Sequence, residues 1–235
     1  VIISVLVMLC TAILGKVIYR HREERKAKVF RYGLVNSNAL FIGLPIIQSL
    51  LGDAGVLQLS MYMIFVRMFC WSYGLSLYTG VISDWKGSFK RLLTHPCMIA
   101  AALGVAAMVT GIRLPAFLDR TLQYVSSCLM ALSMLLIGVV LSEIKLKEVF
   151  RGDVWRFTAL RLGVMPGIVF GLCKLCGVPY IVTATCTLVS GMPAASLTAV
   201  LAARYHGDSE LGALLVAVST ILSAVTIPLW FMILQ

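Results

Sequence analysis

Asn36-Ser37-Asn38-Ala39-Leu40-Phe41-Ile42-Gly43-Leu44-Pro45 is an apolar segment interrupted by asparagine, glycine and proline. Leu188-Val189-Ser190-Gly191-Met192-Pro193-Ala194-Ala195 is a second one. A Gly-x-Pro inside a spanning helix removes backbone hydrogen bonds that lipid cannot replace. Such a gap is tolerated only where it is buried in protein or lines a wet cavity. A matched pair of interruptions in corresponding places points to the binding site of a secondary transporter.

The surrounding composition agrees. The chain is 60% hydrophobic and 13% charged, where a soluble domain carries about 25% charged residues. It reads as an all-α integral membrane protein with about eight spans: 2–18, 33–50, 55–81, 93–111, 121–141, 156–175, 180–203 and 210–234. Each is close to the roughly 20 residues that a bilayer requires, except the longer 55–81.

The net charge of +10 is explained by topology, not by a nucleic-acid partner. Lys16, Arg20, Arg22, Arg25, Lys26, Lys28 and Arg31 follow the first span, Lys86, Lys90 and Arg91 the third, Lys145, Lys147, Arg151 and Arg156 the fifth, and Arg204 the seventh. The opposite side holds Arg113, Arg120 and Lys174. This positive-inside bias places both Val1 and Gln235 on the non-cytoplasmic side of a multi-pass protein of the plasma (inner) membrane. The basic loop 16–31 is placed to touch anionic lipid heads. The chain opens at Val1 already within an apolar helix, so it is expected to be a fragment lacking its first spans.

The two interrupted spans lie an odd number of crossings apart. The second therefore arrives inverted, related to the first by a two-fold axis in the membrane plane. Residues 1–82 read as a partial first repeat, 83–92 as a short cytoplasmic connection and 93–235 as a complete second repeat. Gly52-Asp53 and Gly207-Asp208 follow the two interruptions as turns, each opening a long apolar helix.

Proline is comfortable in the first turn of a helix, so Pro45 and Pro193 are expected to start the second halves of their helices. The N-terminus of a half-helix carries exposed N–H groups and partial positive charge, which suits a carboxylate. Asn36 and Asn38 are the only asparagines. Asn38 lies about two turns before Pro45 and offers donors without bringing a charge into the membrane. Asn36 reads as a helix cap near the inner surface. Arg67 is a charge well inside a span and could neutralise a second carboxylate, whereas Arg161 lies nearer an end and is expected to snorkel. The expected substrate-binding set is Asn38, Gly43, Pro45, Gly191, Met192, Pro193 and Arg67. Thr187, Ser190, Ser196 and Thr198 are expected to satisfy freed carbonyls. No cofactor is indicated, no intramembrane carboxylate relay is evident, and coupling stays open between H⁺ and Na⁺. The three histidines, His21, His95 and His206, read as interfacial.

These residues resemble the auxin efflux carrier family. Its first crossover has the form Asn-x-x-x-x-Gly-x-Pro, matched by Asn38, Gly43 and Pro45. Its second resembles Met192-Pro193-Ala194-Ala195 followed by Ala202-Ala203-Arg204-Tyr205-His206-Gly207-Asp208-Ser209-Glu210-Leu211, Ser219-Thr220-Ile221-Leu222-Ser223 and Thr226-Ile227-Pro228. Met130–Gly138 also looks familial. The resemblance implies ten spans in two inverted five-span repeats, scaffold and transport parts, elevator-like alternating access and small organic-anion (carboxylate) substrates. It implies that Asn38 and the surroundings of Pro45 and Pro193 hold the carboxylate, and it favours a homodimer. By this resemblance the chain is expected to lack the first two spans of the family. Two rival readings are a sodium-coupled carrier of the bile-acid symporter type and a membrane-embedded enzyme built on Cys173 and Cys176. No nucleophile, base and acid share one membrane depth, which argues against the enzyme.

Overall fold

The computed structural model describes residues 2–79, 96–111, 114–142 and 149–235. The expected connection 83–92, His95, Glu143 and the cations Lys86, Lys90, Arg91, Arg113, Lys145 and Lys147 lie outside these residues. The described part is α-helical: α1 (Ile2–Ile18), α2 (Glu24–Val35), α3 (Leu44–Phe69), α4 (Leu75–Thr79), α5 (Pro96–Thr110), α6 (Ala116–Ser142), α7 (Gly152–Ala159), α8 (Met165–Leu175), α9 (Tyr180–Ser190), α10 (Leu197–Arg204) and α11 (Ser209–Leu234). Three described helical runs, Ala39–Thr79, Gly152–Leu175 and Ser209–Leu234, are long and apolar enough to cross a membrane; Ile3–Ile18 and Tyr180–Ser190 are shorter apolar helices.

Wide π-turns join some of these segments. One precedes α3 (Ala39–Gly43), one joins α3 to α4 (Cys70–Gly74) and one joins α7 to α8 (Leu160–Val164). Two of them come just before a proline within the first turn of the next α-helix, Pro45 and Pro166. Proline lacks an N–H, and its ring collides with the carbonyl four residues back. A π-turn there widens the helix and lets the chain run on. The carbonyl lost to Pro166 is that of Leu162, and the Trp230 indole N–H donates to it at 2.8 Å.

The first interruption therefore falls elsewhere than its proline suggested, and the second contains Pro193 without that proline starting the next helix. The first helix breaks at Asn36-Ser37-Asn38, and Pro45 sits inside its continuing second half. The second breaks over residues 191–196, and Pro193 lies in the extended stretch before α10. The first broken helix also begins earlier than expected, because α2 starts at Glu24. The stretch 16–31 is thus helix at both ends, and most of its charges lie on α2. Lys26 pairs with Glu23 at 3.2 Å and Lys28 with Glu24 at 2.9 Å. The Gly52 turn is present: at φ +62° this residue departs from helical geometry and divides Ala39–Thr79 into two helices. The corresponding left-handed residue near the second turn is His206 (φ 55°), with the Asp208 carboxylate capping α11 through Leu211 N–H at 2.9 Å.

The core forms two apolar clusters. One gathers Val35, Ala39, Ile47, Tyr62, Leu188 and Met192; the other gathers Phe30, Leu34, Phe157, Ala194, Leu201 and Leu215. Val35 and Leu34 fall in different clusters, as do Met192 and Ala194, so the breaks lie at the boundary between them. By contrast α6 is largely exposed, with Phe117 and Tyr124 more than two-thirds accessible. It touches α11 and the turn before α3.

Candidate functional site

The two breaks meet. Asn38 N–H donates to the Pro193 carbonyl at 2.8 Å, and Ala195 N–H donates to the Asn36 carbonyl at 3.1 Å. Ser37 and Ala194 face each other as an antiparallel bridge. Two N–H groups and two carbonyls left free at the breaks thus pair with each other across the crossing, in line with the demand that polar backbone be paired away from water. Ala194 N–H points the other way, to Ser219 Oγ on α11 at 3.1 Å, and that hydroxyl donates in turn to Leu215 O at 2.6 Å.

From the bridge the two second halves depart. The first starts at Ala39, where the Asn38 carbonyl accepts from Ile42 N–H at 3.1 Å and Gly43 N–H at 3.2 Å. Its first N–H groups have no acceptor within the helix, as at any helix start. The Asn38 side chain sits at this end, 2% exposed, and its amide nitrogen has no partner. A buried unpaired donor costs about 1–3 kcal/mol, so it marks a place where a ligand or water is wanted. Asn36 does not cap a helix start at the inner surface: it ends α2, buried at the bridge, and its amide donates to Tyr32 Oη at 3.0 Å. Around the second break Thr187, Ser196 and Thr198 are buried with unpartnered hydroxyls, while the Ser190 hydroxyl donates at 2.8 Å to the Thr187 carbonyl, which already accepts the Gly191 N–H at 3.0 Å. None of the four hydroxyls thus takes up a carbonyl freed by the break, because Ser190 adds only a second bond to one already paired within α9.

The expected snorkelling of Arg161 does not occur. Arg161 is 2% exposed. Its Nε–H donates to the Met192 carbonyl at 3.0 Å and its Nη1 to the Leu34 carbonyl. The guanidinium thus joins the end of α2 to the stretch just beyond α9. Sequence reasoning placed it near a helix end because the span was expected to start at 156. In fact α7 starts at Gly152, and the π-turn carries Arg161 inward. Arg67, by contrast, is half-buried on α3, in the electrostatic surroundings of Tyr32 and Cys70.

Of the other expected residues, Gly43 lies against Met192: a Cβ placed on Gly43 would stand 3.5 Å from Met192 Cγ. Gly191 ends α9 and packs on Pro166. Pro45 lines a cleft of about 630 Å³ between α3 and α11, with Ile42, Ser49, Thr220, Ser223 and Pro228. Asn38, Gly43, Met192 and Pro193 therefore meet at one crossing with Gly191 beside them, Arg161 joins them there, and Pro45 lines the cleft next to it.

The membrane transport protein family matches residues 1–88 and 85–231. The chain belongs to this auxin efflux carrier-like family. An uncharacterized transporter of Methanocaldococcus jannaschii is 27% identical over 226 residues, covering 93% of this chain and 71% of that protein. An uncharacterized transporter of Methanothermobacter thermautotrophicus is 28% identical over 242 residues, covering 100% of this chain and 78% of that one.

As a member of a transporter family, the protein is a multi-pass membrane transporter and not an enzyme. The enzyme reading of Cys173 and Cys176 falls with this. Cys173 is buried and Cys176 exposed, and both are free thiols. His21 and His206 are exposed.

Proposed function

We propose that this transporter is a secondary carrier of small organic anions, moved by alternating access, with the substrate carboxylate held at the crossing of the two broken helices. The observation that carries the reading is the Asn38 amide nitrogen, buried and unpartnered at the start of a half-helix. Such an end combines free N–H groups with partial positive charge, and the amide adds a neutral donor. The cleft between α3 and α11 begins one turn further on, at Ile42 and Pro45, and gives room for a carbon skeleton. Gly43, Gly191, Met192 and Pro193 shape the crossing. In this reading Arg67, half-buried on α3, neutralises a second carboxylate of the substrate.

The antiparallel Ser37–Ala194 pairing supports a local two-fold relation between the breaks. Residues 1–82 and 93–235 then belong to two inverted repeats joined through 83–92. The excess of Lys and Arg on one side supports a plasma-membrane carrier with Gln235 on the non-cytoplasmic face, and the family resemblance favours a homodimer.

The test is uptake of labelled malate into liposomes, with competing carboxylates and with Na⁺ and pH gradients varied. Saturable, carboxylate-competed uptake reduced by Asn38→Ala is expected. No uptake by folded, oriented protein under any gradient would remove this substrate class.

A further inference from the structure

Arg161 presents a physical problem that the anion site does not solve. It is a nearly inaccessible cation within the helical run Gly152–Leu175. Its closest polar partners are carbonyl oxygens, those of Met192 and Leu34. Among the described residues no ion pair joins it to a carboxylate; Tyr62 and Cys70 make up its electrostatic surroundings. A buried charge without compensation is strongly unfavourable, so something must stabilise it.

The carbonyls do so because of where they lie. Leu34 is in the last turn of α2, and Met192 follows Gly191, which ends α9. The C-terminal end of a helix carries unpaired carbonyls and partial negative charge. Two such ends converge on one guanidinium. In broken-helix transporters, unwound carbonyls and half-helix C-terminal ends are the groups that coordinate a coupling cation. Here that environment is filled by a side chain. Its planar fork of five donors reaches two carbonyls at once, which a lysine ammonium does as a point charge only.

We propose that Arg161 is a tethered cation at the carbonyl-lined position between the two half-helix C-terminal ends, so that the crossing is completed without a free metal cation. Arg161 is a positioning residue: it fixes the relative placement of Leu34 and Met192, and through them Asn38 and Pro193. The uptake arm of the following test rests on the anion-carrier reading; the melting arm does not.

Arg161→Ala, Arg161→Lys and Arg161→Met are compared with the native protein by thermal unfolding in detergent, in choline chloride with and without guanidinium chloride or NaCl at low millimolar concentration. Arg161→Ala should melt lower, and guanidinium ion should raise its melting temperature while leaving the native protein unchanged. Arg161→Lys should stay above Arg161→Met. If Arg161→Ala does not accumulate, the lysine and methionine variants decide. Equal behaviour of those two, or an Arg161→Ala protein insensitive to guanidinium and to Na⁺, would overturn the proposal. In liposomes the native carrier should transport equally in Na⁺ and K⁺. Arg161→Ala should lose at least about tenfold, the loss expected when buried carbonyls go unpaired, with guanidinium restoring part of it. A strict Na⁺ requirement of the native protein would also overturn it. Failure to find any transported anion leaves the melting arm intact, so the two readings fail separately.

Discussion

Ser219 holds the second break from outside the crossing: its hydroxyl accepts the Ala194 N–H at 3.1 Å while donating to Leu215 O at 2.6 Å. Ser219 is fully buried. Ser219→Ala would leave the Ala194 N–H without an acceptor at the boundary of the two core clusters. The expected cost is about 1–3 kcal/mol, read as a lowered melting temperature in detergent. An unchanged transition would show that water takes over the bond.

Asn38 is expected to act on the substrate and not on folding, because its amide nitrogen has no protein partner to lose. Asn38→Ala should express normally and weaken anion affinity by roughly 10- to 100-fold, the value of one or two hydrogen bonds to a charged group. Asn38→Asp should do worse, since it sets a like charge at the same end. Native affinity in both variants would move the site away from this helix start.

The carbonyl of Leu162 depends on Trp230, because Pro166 has no N–H to offer it. Trp230→Phe should destabilise the protein by about 1 kcal/mol or more. In a Pro166→Ala background the restored N–H can pair with Leu162, so the same Trp230→Phe change should cost less. A double-mutant cycle on melting measures this coupling, and strictly additive effects would refute it.

Gly212 lets α11 approach α10. A Cβ there would stand 3.0 Å from Ala199 Cα and 3.3 Å from the Thr198 carbonyl, both backbone atoms that cannot swing aside. Gly212→Ala should therefore cost about 1–3 kcal/mol by overpacking. Gly43→Ala should be mild, because its Cβ would meet only side chains at ordinary contact distance.

Much of this architecture was legible from the residues. Gly-x-Pro marked both interrupted helices, Gly52-Asp53 marked a real turn, and Asn38 stood out as a neutral donor at membrane depth. The position of the first break was misread because proline reports a missing donor, not a missing helix. A π-turn before Pro45 absorbs the defect, and the chain opens seven residues earlier, where Asn36, Ser37 and Asn38 find partners on the other break. Arg161 was misread for a related reason. Its carbonyl partners lie 31 and 127 residues away in sequence, and no local pattern of charge or hydropathy records a bond to a distant main-chain oxygen. Ser219 lies within a family-like motif, yet its role as an acceptor for Ala194 depends on a contact 25 residues distant.

The bridge between the breaks is written in main chain alone, through Asn38 N–H, the Pro193 carbonyl, Ala195 N–H and the Asn36 carbonyl. Backbone atoms do not change when codons do. A lineage built on this frame can therefore replace the side chains at 37, 194 and 195 by others of similar size without dissolving the junction. Selection for a new cargo then acts on the walls of the site while its framework stays out of reach of most mutations.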